Sequence, residues 1–283
     1  MLELLNEHVC HGGVQRYYRH QSQAIGLSMR FAAFIPARAD GAALPALFYL
    51  AGLTCTEETF MIKAGAQRMA AQEGLILIAP DTSPRGASVA GEDDSWDFGL
   101  GAGFYLDATQ APWNMNYRME SYIRELRELV IRELDVDARR VGICGHSMGG
   151  HGALTLALRH PELFRSVSAF APIAAPSQAP WGQKAFTGYL GADRAAWAAH
   201  DASALMAQRR TPFPDGILID QGLGDQFLDT QLYPEVFEQA CRGAAQPLRL
   251  RRHAGYDHGY YFIMSFIDDH LRFHTKNLKA LAD

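Results

Sequence analysis

In this 283-residue chain the run Gly145-His-Ser-Met-Gly149 holds the side chain best suited to covalent chemistry. A serine hydroxyl attacks an acyl carbonyl only when a base takes its proton. An imidazole serves as that base when a carboxylate fixes its tautomer and steadies its charged form. The five-residue pattern alone arises by chance in about one chain in ten of this length, so its setting carries more weight. Val141-Gly-Ile-Cys144 is a buried-strand pattern, and Gly150-His-Gly-Ala-Leu-Thr-Leu-Ala-Leu158 reads as a helix that begins at once. Strand, tight turn and helix around G-x-S-x-G form the context of a nucleophile elbow. The plainer alternative is a glycine-rich turn whose serine caps the helix.

With such an elbow the partners follow in the order serine, acid, histidine. Asp225 lies in the loop Gln221-Gly-Leu-Gly-Asp-Gln226, after an apolar run at 217–220. There the C-terminal end of a strand would deliver a carboxylate. Three acids compete: Asp220 would lie inside that strand, Asp229 beyond the loop near a helix start, and Asp257 beside the candidate base. That base is His258, in Gly255-Tyr-Asp-His-Gly259. His253 is embedded in a strand, and His146 and His151 flank the serine too closely for the usual geometry, so they read as supports of the turn. An oxyanion would need two backbone donors, one after the nucleophile and one from the loop after an early strand. Met148 supplies the first. Leu53 supplies the second, with Gly52 permitting close approach of the backbone.

These residues need a scaffold that ends several strands at one edge. Short apolar runs at 29–35, 46–50, 75–79, 141–144, 166–170, 217–220 and 248–253 alternate with helix-period segments at 60–73, 117–134, 147–159, 201–208, 234–241 and 259–274. That rhythm predicts a mostly parallel central sheet with helices on both faces, the α/β-hydrolase arrangement. No repeat or linker divides it, so a single domain over residues 1–283 is expected. Two stretches, 81–112 and 174–200, stand outside the rhythm and read as irregular pocket walls.

Composition sets the remaining bounds. The net charge of -5 gives no basic field for nucleic acid or anionic lipid. No apolar run reaches membrane-spanning length, and the first residues lack the basic and apolar pattern of a secretory leader. The four cysteines, Cys10, Cys55, Cys144 and Cys241, are scattered without metal-ligand spacing. A cytoplasmic protein with no metal site and no nucleic-acid partner is expected.

Long segments then carry a resemblance. Tyr49-Leu-Ala-Gly-Leu-Thr-Cys-Thr-Glu57, Ala79-Pro-Asp-Thr-Ser-Pro-Arg-Gly86, Gly91-Glu-Asp-Asp-Ser-Trp-Asp-Phe-Gly99, Pro180-Trp-Gly-Gln-Lys-Ala-Phe186 and Gly255-Tyr-Asp-His-Gly-Tyr-Tyr-Phe262 accompany the elbow in order. Together they resemble the S-formylglutathione hydrolases of the esterase D family. The resemblance implies a serine esterase and thioesterase that releases formate and glutathione from S-formylglutathione, the last step of formaldehyde detoxification. It also implies a cofactor-free, commonly dimeric cytoplasmic enzyme. It places the triad on Ser147, Asp225 and His258 and the oxyanion amides on Leu53 and Met148. Ala51 and Gly259 depart from it where relatives often carry serine.

Other residues invite roles. Cys55, two residues past the oxyanion amide, is either a thiol that forms pocket-blocking mixed disulfides or a packed one. Trp181, with Phe104 and Trp96, is a candidate substrate wall, and Lys63 or Lys184 a candidate partner for a glutathione carboxylate. The adjacent Glu92, Asp93 and Asp94 lack the spaced ligand set of a metal site and read as loop-fixing acceptors.

Overall fold

Strands buried on both faces read as continuous apolar runs, and the central runs of this chain behave so. The computed structural model describes residues 2–37, 41–208 and 213–279. Strands β1 (Glu3–Cys10), β2 (Gly13–Gln21), β3 (Ser28–Ile35) and β4 (Leu44–Leu50) lead to helices α1 (Glu57–Lys63) and α2 (Gln67–Glu73). Then come β5 (Ile76–Pro80), α3 (Met119–Glu133), β6 (Val136–His146), α4 (Met148–Arg159) and β7 (Ser166–Phe170). Helices α5 (Pro180–Leu190), α6 (Arg194–Trp197) and α7 (Ala202–Ala207) precede β8 (Ile217–Gly222), α8 (Pro234–Gly243), β9 (Leu248–His253) and α9 (Tyr260–Lys279).

Among the described residues nine strands form one sheet in the order β1-β2-β3-β5-β4-β6-β7-β8-β9. From β5 to β9 the neighbours are parallel, and β1, β2 and β3 extend the sheet antiparallel. Helix α9 packs with α2 and along β4, β6, β7 and β8, while α4 packs with α7, and α7 with α8. Every residue of β5, β7 and β8 is buried. Nearly all of the buried apolar side chains belong to one cluster. Among the described residues no helix is long and apolar enough to cross a membrane.

Three elements differ from the sequence expectation. The hairpin β1–β2 has no counterpart in the apolar rhythm, because β1 is exposed on both faces and β2 turns Gln15 and His20 inward. The helix expected over 60–73 is two helices, broken at Gly65, whose φ is 67°. The stretch 174–200 is not irregular: it holds α5, whose stripe of Trp181, Ala185, Phe186 and Tyr189 is buried. Gly182 and Gly188 lower its helix propensity, and Pro180 starts it at the position where proline is tolerated. The stretch 81–112 is a loop that straps the oxyanion segment. Gly101 accepts from Thr54 N at 2.9 Å, and Tyr105 Oη donates to the Ala51 carbonyl at 2.9 Å.

Candidate active site

The elbow begins with crowding. β6 runs beside β4 with Gly145 opposite Leu50, and α4 starts one residue after Ser147. A side chain at Gly149 would bring its Cβ to 1.9 Å from the Leu50 carbonyl oxygen, so only glycine lets helix and strand approach this closely. Ser147 takes φ 57° and ψ −119°, a conformation that costs a non-glycine residue on the order of 1–3 kcal/mol. Its backbone is pinned there. Ser147 N donates to the Phe170 carbonyl at 3.0 Å, and its own carbonyl accepts from His151 N at 3.0 Å and Ile173 N at 3.2 Å. The strain is thus held by β7 and by the first turn of α4.

Four acids competed for the place beside His258, and the structure separates them. Asp225 Oδ2 lies 2.5 Å from His258 Nδ1. Its other oxygen accepts from Phe227 N at 2.9 Å, and Gln221 Nε2 donates to Oδ2 at 3.2 Å. Asp220 is fully buried in β8, and Arg251 grips it through Nε at 2.6 Å and Nη2 at 2.5 Å. Burial alone would raise the Asp220 carboxyl, but the bonds from His270 and Arg251 hold it far below the ordinary range. Asp229 is exposed, and Asp257 is exposed and accepts from Gly259 N at 2.9 Å.

His258 follows β9 and Asp225 follows β8, so both arrive at the C-terminal edge of the parallel strands, where β6 delivers Ser147. The His258 ring lies 4.5 Å from that of His146, the residue preceding Ser147. Among the described residues neither ring nitrogen of His146 has a hydrogen-bond partner. Burial, reinforced by His258, pushes its pKa well below the ordinary value, so it stays neutral. His151 is held by a contact of Nε2 with the Phe104 carbonyl at 3.1 Å, and burial lowers its pKa to about 3. Both are supports of the elbow, as the sequence suggested.

The two candidate oxyanion amides flank the serine. Met148 is the first residue of α4, where the helix leaves its N–H groups without intrahelical acceptors. Gly52 packs against the turn so closely that an added Cβ would sit 3.2 Å from both Ser147 Cβ and His146 Nδ1. The next residue is Leu53. Cys55 N closes this loop on the Gly52 carbonyl at 3.3 Å.

The remaining candidates divide. Trp181 is buried between Trp96, at 5.5 Å, and Phe227, at 4.7 Å, and Phe227 in turn meets His258 edge-on at 5.0 Å. This aromatic wall stands beside the base. Phe104 is fully buried, its ring 6.0 Å from that of His151, and so is not on the wall's surface. Lys184 is paired with Asp97 and donates to Ser95 Oγ at 2.7 Å, so its charge is already answered. Lys63 sits 5.8 Å over the Tyr260 ring. Burial raises the Cys55 thiol, which favours its packing role over a reactive one. Glu92 accepts from Tyr117 Oη at 2.9 Å and Ser88 N at 3.0 Å, tying its loop together. Sequence reasoning missed Gln221 and Phe227, the two residues that fix Asp225. Neither contact has a sequence signal, since both depend on how the loop after β8 folds back.

A strained serine at a β–α turn, with an Asp–His pair at the same sheet edge, defines a hydrolase of the α/β-hydrolase type. The chain matches the esterase family model, described as "Putative esterase", over residues 22–273. It is 52% identical to an S-formylglutathione hydrolase of Rattus norvegicus over 281 residues, covering 99% of each chain. To that of Paracoccus denitrificans it is 52% identical over 277 residues, 98% of each. The solved structure of an S-formylglutathione hydrolase from Agrobacterium tumefaciens superposes with a TM-score of 0.94 at 48% identity, covering 97% of this chain and 99% of that one. The chain belongs to the S-formylglutathione hydrolase family of esterases.

Proposed function

We propose that the protein hydrolyses S-formylglutathione to glutathione and formate, with Ser147 as nucleophile, His258 as base and Asp225 as its orienting acid. The observation that carries this reading is the 2.5 Å bond from His258 to an Asp225 that is itself fixed by Phe227 N. Asp225 leaves Nε2 of the ring as the proton acceptor. Ser147 Oγ gives its proton to that nitrogen and bonds to the formyl carbon, and the oxyanion settles on the amides of Leu53 and Met148. The C–S bond breaks. The departing sulfur takes that proton from His258, leaving formyl-serine and a neutral imidazole. Water then attacks with His258 as base, formate leaves, and Ser147 recovers its proton.

The aromatic wall of Trp181, Trp96 and Phe227 beside His258 supports a cramped acyl side. Side activity on short-chain esters follows from that shape. The test compares kcat/KM on S-formylglutathione with S-lactoylglutathione, p-nitrophenyl acetate and p-nitrophenyl octanoate. A strong formyl-thioester preference is expected; octanoyl turnover equal to or above acetyl would make the protein a general carboxylesterase. We further propose a single hydrolase domain over residues 1–283, a homodimeric assembly and a cytoplasmic setting. The compartment is supported by four cysteines that are all unpaired.

A further inference from the structure

A cavity of about 600 Å³ opens at the catalytic edge of the sheet, on the far side of the oxyanion loop from His258. Its size falls within the roughly 300–1,000 Å³ of small-molecule sites. Its charged walls are Arg19 of β2, Arg30 of β3, Glu57 and Glu58 of α1, and Asp81 and Arg85 of the loop after β5.

Three of these six charges are already answered. Arg19 turns to Glu3, through bonds of 2.8 and 2.7 Å. Arg85 holds Asp81 through bonds of 3.0 and 2.8 Å and also reaches the Cys55 carbonyl at 3.3 Å. The other three are not. Among the described residues Arg30, exposed, makes no ion pair, and neither Glu57 nor Glu58 has a side-chain partner. Glu57 is only 5% exposed, and burial together with nearby Asp81 raises its carboxyl against the weaker pull of Arg30, with which it makes no ion pair. One open guanidinium facing two open carboxylates is the complement of a group bearing both a carboxylate and an ammonium. An α-amino acid terminus is such a group.

Distance agrees. Ser147 follows β6 and Asp81 follows β5, two steps away across β4, or about 10 Å at ~4.8 Å per strand. In extended glutathione the sulfur and the γ-glutamyl α-carbon are seven bonds apart, about 9 Å. The loop 53–56 spans the interval: Leu53 offers its amide at one end, Thr56 lines the cavity at the other, and Thr54 between them is exposed.

We propose that this cavity receives the γ-glutamyl terminus of the thiol leaving group, Arg30 pairing with its α-carboxylate and Glu57 and Glu58 with its α-ammonium. The name of the ligand rests on the thioester reading above; the site's preference for an amino acid zwitterion rests on the cavity alone. The probe is S-methylglutathione, a thioether that the enzyme cannot hydrolyse, titrated calorimetrically into wild type, Arg30→Gln, Arg30→Lys and Glu58→Gln. Melting temperatures establish that each variant is folded. Arg30→Gln is expected to weaken binding about tenfold to a hundredfold, the loss of a charge-assisted bond. Arg30→Lys is expected to recover part of it. An analogue whose γ-glutamyl amine is replaced by hydrogen is expected to bind Glu58→Gln and wild type alike. Equal affinity of wild type and Arg30→Gln for S-methylglutathione, or no binding to wild type, overturns the site. Arg30-dependent binding without S-formylglutathione hydrolysis would instead keep the site and remove the proposed reaction.

Discussion

Asp225 shows how little a side chain's type says about its role. Four acids stand in plausible order after Ser147, and each is an ordinary carboxylate until the loop after β8 turns one of them to His258 Nδ1 at 2.5 Å. The position of Asp225, past the strand end, was legible in the sequence; its selection over Asp229 and Asp257 rests on backbone path. Replacing Asp225 by asparagine keeps the volume but lets the imidazole adopt the wrong tautomer. The expected loss in kcat on p-nitrophenyl acetate is about 10³–10⁴-fold, with little change in KM. Asp229→Asn, at an exposed position, is expected to stay within about twofold of wild type. Comparable losses in both would move the orienting role elsewhere. Ser147→Ala is expected to lose at least about 10³-fold on the same substrate, and retained turnover would end the nucleophile assignment.

At the scale of elements, the elbow was readable because crowding writes itself into sequence as glycine. Gly149 meets the Leu50 carbonyl, and Gly52 meets Ser147 and His146. Gly149→Ala forces a Cβ to 1.9 Å from that oxygen, so helix and strand must part. Overpacking of this kind costs about 1–3 kcal/mol. Here it also displaces Ser147 and Met148, so esterase activity is expected to fall further than the denaturation midpoint does. A shift in midpoint with full activity would show that the turn can relax. Helix α5 was not readable. Its stripe of Trp181, Phe186 and Tyr189 becomes a helix face only when packed against the strap, where Tyr189 Oη donates to the Ala102 carbonyl at 2.9 Å. In sequence those aromatics, interrupted by two glycines, look like loop.

Across the whole molecule a polar network runs beneath the sheet, tying α9 to β7 and β8. His274 bonds Ser166 Oγ at 2.6 Å and Ser168 Oγ at 2.7 Å. His270 bonds Ser168 Oγ at 2.8 Å, and its Nε2 lies 3.3 Å from Asp220 Oδ2. Burial lowers the pKa of both imidazoles, as it does for His146 and His151. The unfolded chain binds protons at these sites near pH 6.5, whereas the folded chain binds them only well below that. Stability is therefore full above about pH 6.5 and is lost as pH falls, a loss that for His151 continues down to about pH 3. That one group accounts for on the order of 5 kcal/mol. Calorimetry is expected to show the melting temperature falling steadily from pH 6.5 to 4.5; a flat profile would mean that the core histidines charge without penalty. Arg251→Leu leaves the buried Asp220 carboxylate without its guanidinium and with only the imidazoles of His270 and His253 beside it, and is expected to cost about 3–5 kcal/mol.

The sequence by itself determined the alternation of strands and helices, the elbow, the order of serine, acid and histidine along the chain, and the family likeness. These are local patterns, set by periodicity, by glycine at crowded turns and by chain order. Tertiary structure decided which carboxylate meets His258, which cations are already paired and which charges stay open beside the oxyanion loop. Lys184 is an available cation in sequence and a neutralised one in the fold because Asp97 reaches it across 87 residues. Arg30 and Glu57 carry no motif, yet β3 and α1 bring them to one cavity. Pairing of charges depends on distance in space, and a linear chain does not record that distance.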